Sequence, residues 1–306
     1  MLDRVKPNKS APSLHEQLAL RPNQSLELLK ALHIITRDDK INQDSRRKLK
    51  QVNHLLQFIE PLLTRVLAER GRVTLADHGA GKSYLGFMLY DLFFQSLDAA
   101  KKPHHIYGIE TRAELVEKSA TLAKTLGFNE MSFLNLSAAD AATSKQLPET
   151  IDVVTALHAC DTATDHAIAF AIAKRAKFVV LVPCCQAELA AFFRTDKGTA
   201  IGKNSLTELW RHPIQAREFG SQLTNVLRGL WLEANGYSVT VTELVGWEHS
   251  MKNELIVAEF KNVSRTKGEV RLREVVETFG LHTFAARYRY GVSPPLQAGE
   301  GTRQSG

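Results

Sequence analysis

An α/β fold on a mostly parallel, seven-stranded sheet is what this 306-residue sequence predicts, and three patterns carry that expectation. After Gly71, short apolar runs alternate with helix-like stretches. A glycine-rich turn follows the first run directly, and the last two runs are separated by a linker too short to hold a helix. Strands alternating with helices imply crossover connections and a parallel sheet covered on both faces. A final pair without a crossover implies an antiparallel hairpin at the sheet edge.

The chain before Gly71 reads as a helical extension. Its first part mixes Pro, Asn, Ser and charge with short helix-like pieces. From Asp44 to Arg70, Leu49, Val52, Leu55, Leu56, Ile59, Leu62, Leu63 and Val66 recur at three and four, marking an amphipathic helix. The helix starts basic (Arg46, Arg47, Lys48, Lys50), and Pro61 is expected to kink it or divide it in two. Strands are then expected at Val73 to Ala76, His105 to Ile109, Ser132 to Leu136, Asp152 to Leu157, Phe178 to Val182, Ser238 to Val245 and Leu255 to Phe260. Helices are expected at Tyr84 to Leu97, Arg112 to Leu126, Thr164 to Ala176 and Ser221 to Asn235, with a weaker connection from Ala138 to Thr150. The segment Gln186 to Gly220 is longer than an ordinary connection, and insertions at the carboxyl end of such a sheet often shape a substrate site. The closing residues SPPLQAGEGTRQSG have the composition of a disordered tail. The expected division is therefore a helical extension over 1–71, an α/β domain over 72–260 with an insertion at 186–220, and a basic extension over 261–306.

Composition excludes several classes. With 44% hydrophobic and 24% charged residues, the chain is neither collagen, coiled coil nor bulk disorder. No apolar run approaches the roughly 20 residues of a membrane helix, and the N-terminus lacks an apolar signal region, so a soluble, cytoplasmic protein is expected. Three cysteines make no disulfide framework. The net charge of +6 is unevenly placed: residues 1–71 carry +5, residues 72–260 carry −3 and residues 261–306 carry +4. Basic flanks around an acidic centre suggest RNA as a partner, held through the extensions.

The sharpest motif is Asp77-His78-Gly79-Ala80-Gly81-Lys82-Ser83, directly after the first strand and opening a helix. A phosphate-binding P-loop ending in Gly81-Lys82-Ser83 would need its first glycine five residues before Gly81, where Ala76 stands. A dinucleotide loop counted from Gly79 would need a third glycine where Tyr84 stands. An acidic residue leading G-x-G, with Ser83 at the place of a frequent third glycine, resembles the methyltransferase loop. Asp77, Gly79, Ala80 and Gly81 are its cofactor-binding candidates. Glu110 closes the second strand, where a carboxylate can accept both ribose hydroxyls of a nucleoside cofactor. After the third strand, Asn135 to Asp140 is the segment expected to contact the adenine, with Asp140 as its candidate; the competing role of Asp140 is a solvated acid.

All three cysteines fall at two neighbouring strand ends, His158-Ala159-Cys160-Asp161 after the fourth and Cys184-Cys185-Gln186 after the fifth. The chain resembles the methyltransferase-domain family known from eukaryotic methyltransferase-like proteins and relatives of a tRNA 2′-O-methyltransferase. The matching pieces are the helix from Gln51 to Leu63, DHGAGKSYLGFMLYD (Asp77 to Asp91), LHACDTATD (Leu157 to Asp165) and VPCCQ (Val182 to Gln186). The tRNA-modifying relatives carry Gly where Asp161 stands. The resemblance implies a Rossmann-like class I methyltransferase sheet, S-adenosylmethionine as cofactor and RNA, tRNA or rRNA, as acceptor, with a small molecule or protein as the other acceptor classes and a silent binding module as the non-enzymatic reading.

For catalysis, three roles compete at the cysteines. A thiolate could attack a pyrimidine ring, a metal could use Cys160, Cys184, Cys185 and His158, or small cysteines could shape a pocket lined by His158, Asp161 and Asp165. The third is favoured, with no metal. Methyl transfer is an in-line displacement that needs a base only when the acceptor must lose a proton. His158 and Asp161 are the candidates for that base, with a strand-end histidine and a helix-capping aspartate as their structural readings.

Overall fold

The computed structural model describes residues 13–18, 20–157, 162–183, 186–195, 205–244 and 254–288. Its N-terminal helices are α1 (Leu14–Leu18), α2 (Leu26–Ala31) and α3 (Gln43–Arg70). Then come β1 (Val73–His78), α4 (Tyr84–Leu92), β2 (His104–Glu110), α5 (Ala113–Thr125), β3 (Met131–Asn135), α6 (Ala138–Thr143), β4 (Val153–Leu157), α7 (Thr162–Ala173) and β5 (Phe178–Val182). After these follow α8 (Glu188–Thr195), α9 (Pro213–Ala234), β6 (Tyr237–Glu243), β7 (Glu254–Phe260) and α10 (Arg265–Thr278). The seven strands form one sheet in the order β3-β2-β1-β4-β5-β7-β6. The first five are parallel, while β7 pairs antiparallel with both β5 and β6. The expected fold and its terminal edge hairpin are therefore present.

Strand alternation sorts the side chains into two cores. On β5, Phe178, Val180 and Val182 face one core with α3 and α4, whereas Val179 and Leu181 face the other with α7 and α9. The first core also contains Leu28, Leu29, Ile35, Leu56 and Leu63, so the N-terminal helices are part of the same hydrophobic body as the sheet. Among the described residues, no helix is long and apolar enough to cross a membrane.

Pro61 does not divide α3, which runs unbroken for 28 residues. The missing hydrogen bond costs about 3 kcal/mol, but Ile59, Leu63 and Val66 are fully buried on either side of it. The helix is also pinned across the sheet, by Arg65 to Glu259 of β7 at 2.5 Å and by Arg70 to the buried Asp152 at 2.5 Å. Further departures lie at helix ends. The helix expected over 84–97 stops at Leu92 and continues as a 3-10 turn, Phe94–Ser96. The last helix before the hairpin begins earlier than expected, with Pro213 in its first turn and Gln215 bonding back to His212. The described part of the 186–220 insertion packs inward, with Phe193 of α8 stacked on Trp210 at 4.6 Å and Trp210 on Phe219 at 5.3 Å. Residues 293–306, expected as a disordered tail, lie outside the described residues.

The C-terminal helix α10 approaches α9 at Gly268, where an added Cβ would stand 2.6 Å from the Ala234 nitrogen and 2.8 Å from the Glu233 carbonyl carbon. Backbone atoms cannot swing aside. Gly268→Ala should cost about 1–3 kcal/mol, read as a lower thermal midpoint. Gly229→Ala, where the nearest atom is 3.8 Å away, should leave the midpoint unchanged or raised. Equal effects of the two substitutions would contradict the close helix contact.

Candidate active site

At the carboxyl end of β1 the chain turns through Gly79 (φ +70°) and Gly81 (φ +57°), backbone states that a side chain rarely adopts. Gly79 and Ala80 both donate their N–H groups to the Ile109 carbonyl, at 2.9 and 3.0 Å, which ties the loop to the end of β2. Ser83, at the position of the expected third glycine, is also left-handed at φ +53°. The turn thus keeps a glycine-like backbone with serine in it. The buried Ser83 hydroxyl has no partner among the described residues.

Glu110 joins the two loops. Its Oε2 accepts from Gly81 N–H at 2.8 Å and from the Arg112 guanidinium at 3.2 Å. Its Oε1 accepts from the N–H groups of Thr111 and Arg112 at 3.0 and 3.1 Å, and from Arg112 Nε at 3.1 Å. Burial alone would raise this carboxyl, but hydrogen bonds from Arg112 and Gly81, with the Arg112 charge, hold it at about 2. It is an ionised acceptor in a nearly water-free position. Sequence spacing alone does not single out Arg112; an arginine two residues after the strand-end acid is the signal that could mark it. Its side chain is 60% exposed, so it is the donor most easily displaced from Glu110 by an entering hydroxyl.

Asp77 is buried and bonded by the Thr155 hydroxyl at 2.8 Å. Burial pushes its carboxyl up to about 7, partly countered by Thr155. His78 beside it is buried with both ring nitrogens unpartnered among the described residues, and its pKa falls to about 4, chiefly by burial. Asp77, Gly79, Ala80, Gly81 and Glu110 therefore converge on one loop pair, as their spacing predicts. A bidentate ionised acceptor beside left-handed glycines, with unpartnered buried polar groups at the same loop, fits a nucleoside cofactor. Asp140 is exposed in the first turn of α6, where its N–H donates to the capping Ser137 hydroxyl at 3.2 Å and its carboxylate accepts from that hydroxyl at 2.5 Å. Asn135, the first residue of the segment expected near the adenine, donates to the carbonyls of Glu110 and Thr111 at 3.1 and 2.8 Å and so braces the same loop.

The catalytic candidates His158, Cys160 and Asp161, with Cys184 and Cys185, lie outside the described residues. Their neighbours are described. Asp165, expected among the pocket-lining groups, instead faces the core: it is 2% exposed, with Arg228 at 2.6 Å and Arg287 at 3.1 Å. Two cations from α9 and the C-terminal segment satisfy it as a buried ion pair. Gln186 is held by Asn225 at 3.0 Å and by Ser221 at 2.7 Å, and Asn225 reaches Glu254 at 2.6 Å. Helix α9 thereby braces the segments that follow β4 and β5 and the start of β7.

Residues 47–192 match the family model described as methyltransferase domain. Over that stretch, a little under half of its length, the chain is similar to a methyltransferase domain. A comparison with curated proteins finds no match. Among solved structures, an rRNA methylase from Streptococcus thermophilus is similar at 10% identity and TM-score 0.40, covering 66% of this chain and 94% of that one. A SAM-dependent methyltransferase from Aquifex aeolicus is similar at 18% identity and TM-score 0.36, covering 69% and 97%. Fibrillarin from Aeropyrum pernix, in complex with natively bound S-adenosyl-L-methionine, is similar at 12% identity and TM-score 0.36, covering 61% and 65%.

The Asp77 value near 7 makes stability depend on pH. Between about 4, where an unfolded aspartate titrates, and about 7, the folded chain holds the extra proton, so this contribution turns unfavourable as pH rises. His78 has the opposite sign: stability from its neutral ring is lost as pH falls from about 6.5 through about 4. Asp77→Asn removes the first dependence and keeps the second. The thermal midpoint of the variant minus that of the wild type should climb across about pH 4 to 7 and then level off. A difference that stays flat over that range would contradict the raised Asp77.

Proposed function

We propose that the chain transfers a methyl group to RNA, tRNA or rRNA, in the cytoplasm by direct displacement, without a covalent enzyme intermediate. The observation that carries the cofactor half of this reading is the ionised Glu110 carboxylate, bonded to Gly81 at 2.8 Å within the methyltransferase stretch. S-adenosylmethionine supplies an electrophilic methyl group on its sulfonium. Glu110 accepts the ribose hydroxyls as Arg112 moves aside, the Gly79 to Gly81 backbone lets the cofactor approach closely, and Asp77 supports the loop. For a hydroxyl acceptor, His158 or Asp161 takes the proton, while Cys160 shapes the pocket. The domain division is that of the sequence: 72–260 as the catalytic unit, with helical and basic extensions at 1–71 and 261–306.

Charge and position support RNA as the acceptor. The extensions carry +5 and +4, whereas the centre carries −3. A cavity of about 220 Å³ lined by His33, Lys48, Gln51, Tyr84 and Leu157 lies between the basic start of α3 and the carboxyl end of β4. The basic helix thus borders the edge from which the catalytic candidates follow. Labelled methyl incorporation into RNA, protein and metabolite fractions from a deletion strain tests the reading: label in RNA is expected. Label in another fraction would replace the acceptor, and none above background would favour a silent binding module.

Because the N-terminal helices share the sheet's core, charge substitution tests the flank better than truncation. Replacing Arg46, Arg47, Lys48 and Lys50 by Ser should weaken RNA binding and flatten its salt dependence by about one slope unit for each phosphate no longer neutralised, while S-adenosylmethionine affinity holds. Unchanged RNA affinity would reduce these charges to a solvated helix start.

A further inference from the structure

We infer that a groove between α7, α9 and the segment after α6 is a second binding site, taking a phosphate group carried on an apolar or planar body, such as a nucleotide. The groove has a volume of about 1120 Å³ and its lining includes Lys145, Leu147, Pro148, Ile172, Lys174 and Arg175. Lys174 follows the last residue of α7, at the amino-terminal edge of the sheet. The cofactor loops lie at the opposite, carboxyl edge, so the groove is separate from them.

Lys174 is the observation that points to a ligand. It is only 5% exposed, it lines the groove, and its amine makes no hydrogen bond or ion pair among the described residues. Its backbone is fixed on both sides, with its N–H donating to the Phe170 carbonyl at 2.8 Å and its carbonyl accepting from Ile151 at 3.1 Å. The side chain is largely enclosed while its amine reaches the groove, where Glu149 is the one opposing charge, so an anion entering the groove would complete it. Burial accordingly lowers its pKa, and only the field of Glu149 opposes that. The other charges on the groove are Lys145, Arg175 and Arg287 against Glu149, and Arg287 is neutralised by Asp165 and Glu188. With Arg175 also engaged, Lys145 and Lys174 stand against Glu149, a cationic balance. Leu147, Pro148 and Ile172 offer an apolar wall beside the cation, so a bare ion would leave half of the lining unused.

This inference stands apart from the proposed methyl transfer, and the full-length protein can test both. Inorganic phosphate, a 5′-mononucleotide and an oligoribonucleotide are each titrated by calorimetry and by thermal shift. Wild type should bind phosphate weakly and the mononucleotide more tightly, each raising the thermal midpoint. Lys174→Met should weaken nucleotide binding roughly ten- to a hundredfold, the scale of one charge-assisted hydrogen bond, and Lys145→Ala should weaken it less. S-adenosylmethionine affinity should be the same in all three proteins. Without ligand, Lys174→Met should melt at or above the wild type, since the amine it removes makes no hydrogen bond or ion pair among the described residues. Saturation by the mononucleotide would identify a free nucleotide as the ligand; affinity that grows with chain length and falls with salt would identify an RNA phosphodiester. Equal nucleotide affinity in wild type and Lys174→Met, absence of any phosphate-dependent shift, or a large loss of stability in Lys174→Met would overturn the site.

Discussion

One carboxylate, withdrawn from water at the end of β2, organises the cofactor edge of this molecule. Glu110 receives the N–H of Gly81 from the first loop and those of Thr111 and Arg112 from the second. Without it, the left-handed turn at Gly79 and Gly81 would keep its two bonds to the Ile109 carbonyl and the Ser83 N–H to Ala80 bond, but lose the tie from Gly81 to the second loop. Because so many donors converge, the group stays ionised despite burial, and an ionised bidentate acceptor is what paired hydroxyls require. The donors also saturate the acceptor. Hydroxyls must therefore displace one of them, and the exposed Arg112 is the one with somewhere to go.

The two acids of the site are tuned in opposite directions by the same fold. Glu110 stands among N–H groups and a guanidinium, whereas Asp77 has the Thr155 hydroxyl as its hydrogen-bond donor and is otherwise enclosed by the strands. The first is held low and the second is raised. Behind the strand ends, a third arrangement appears: Asp165, Arg228, Asn225, Gln186 and Glu254 form a chain of buried polar contacts that fixes the segments on either side of the catalytic candidates. A buried polar chain of this kind is directional, so it specifies position in a way that apolar packing cannot.

Much of the fold is legible in the sequence because strands and helices bury one face at fixed periods. The runs from Val73, His105 and Phe178 declare themselves as strands, and the spacing from Leu49 to Val66 declares α3. Pro61 is misleading, since local chemistry argues for a break while the packing of Ile59, Leu63 and Val66 against the sheet outweighs it. The glycine loop and Glu110 are legible because their positions follow from strand ends. Arg112 and Thr155 are not, because their roles depend on which side chain a neighbouring strand or loop brings alongside. Asp165 shows the same limit: a helix-start acid near the site looks pocket-facing in one dimension, and only the position of Arg228 on α9 and Arg287 near the C-terminus reveals that it points inward. The net charge is legible as a number and as a location, but the N-terminal helices that carry part of it are built into the core.

Calorimetric titration of S-adenosylmethionine into the wild type and Glu110→Ala addresses the organising role of Glu110 most directly. The wild type should bind one equivalent, and Glu110→Ala should bind about ten- to a hundredfold more weakly, the loss expected for charge-assisted hydrogen bonds to an ionised acceptor. Equal affinity in the two proteins, or no binding to the wild type, would contradict the central place given to this carboxylate.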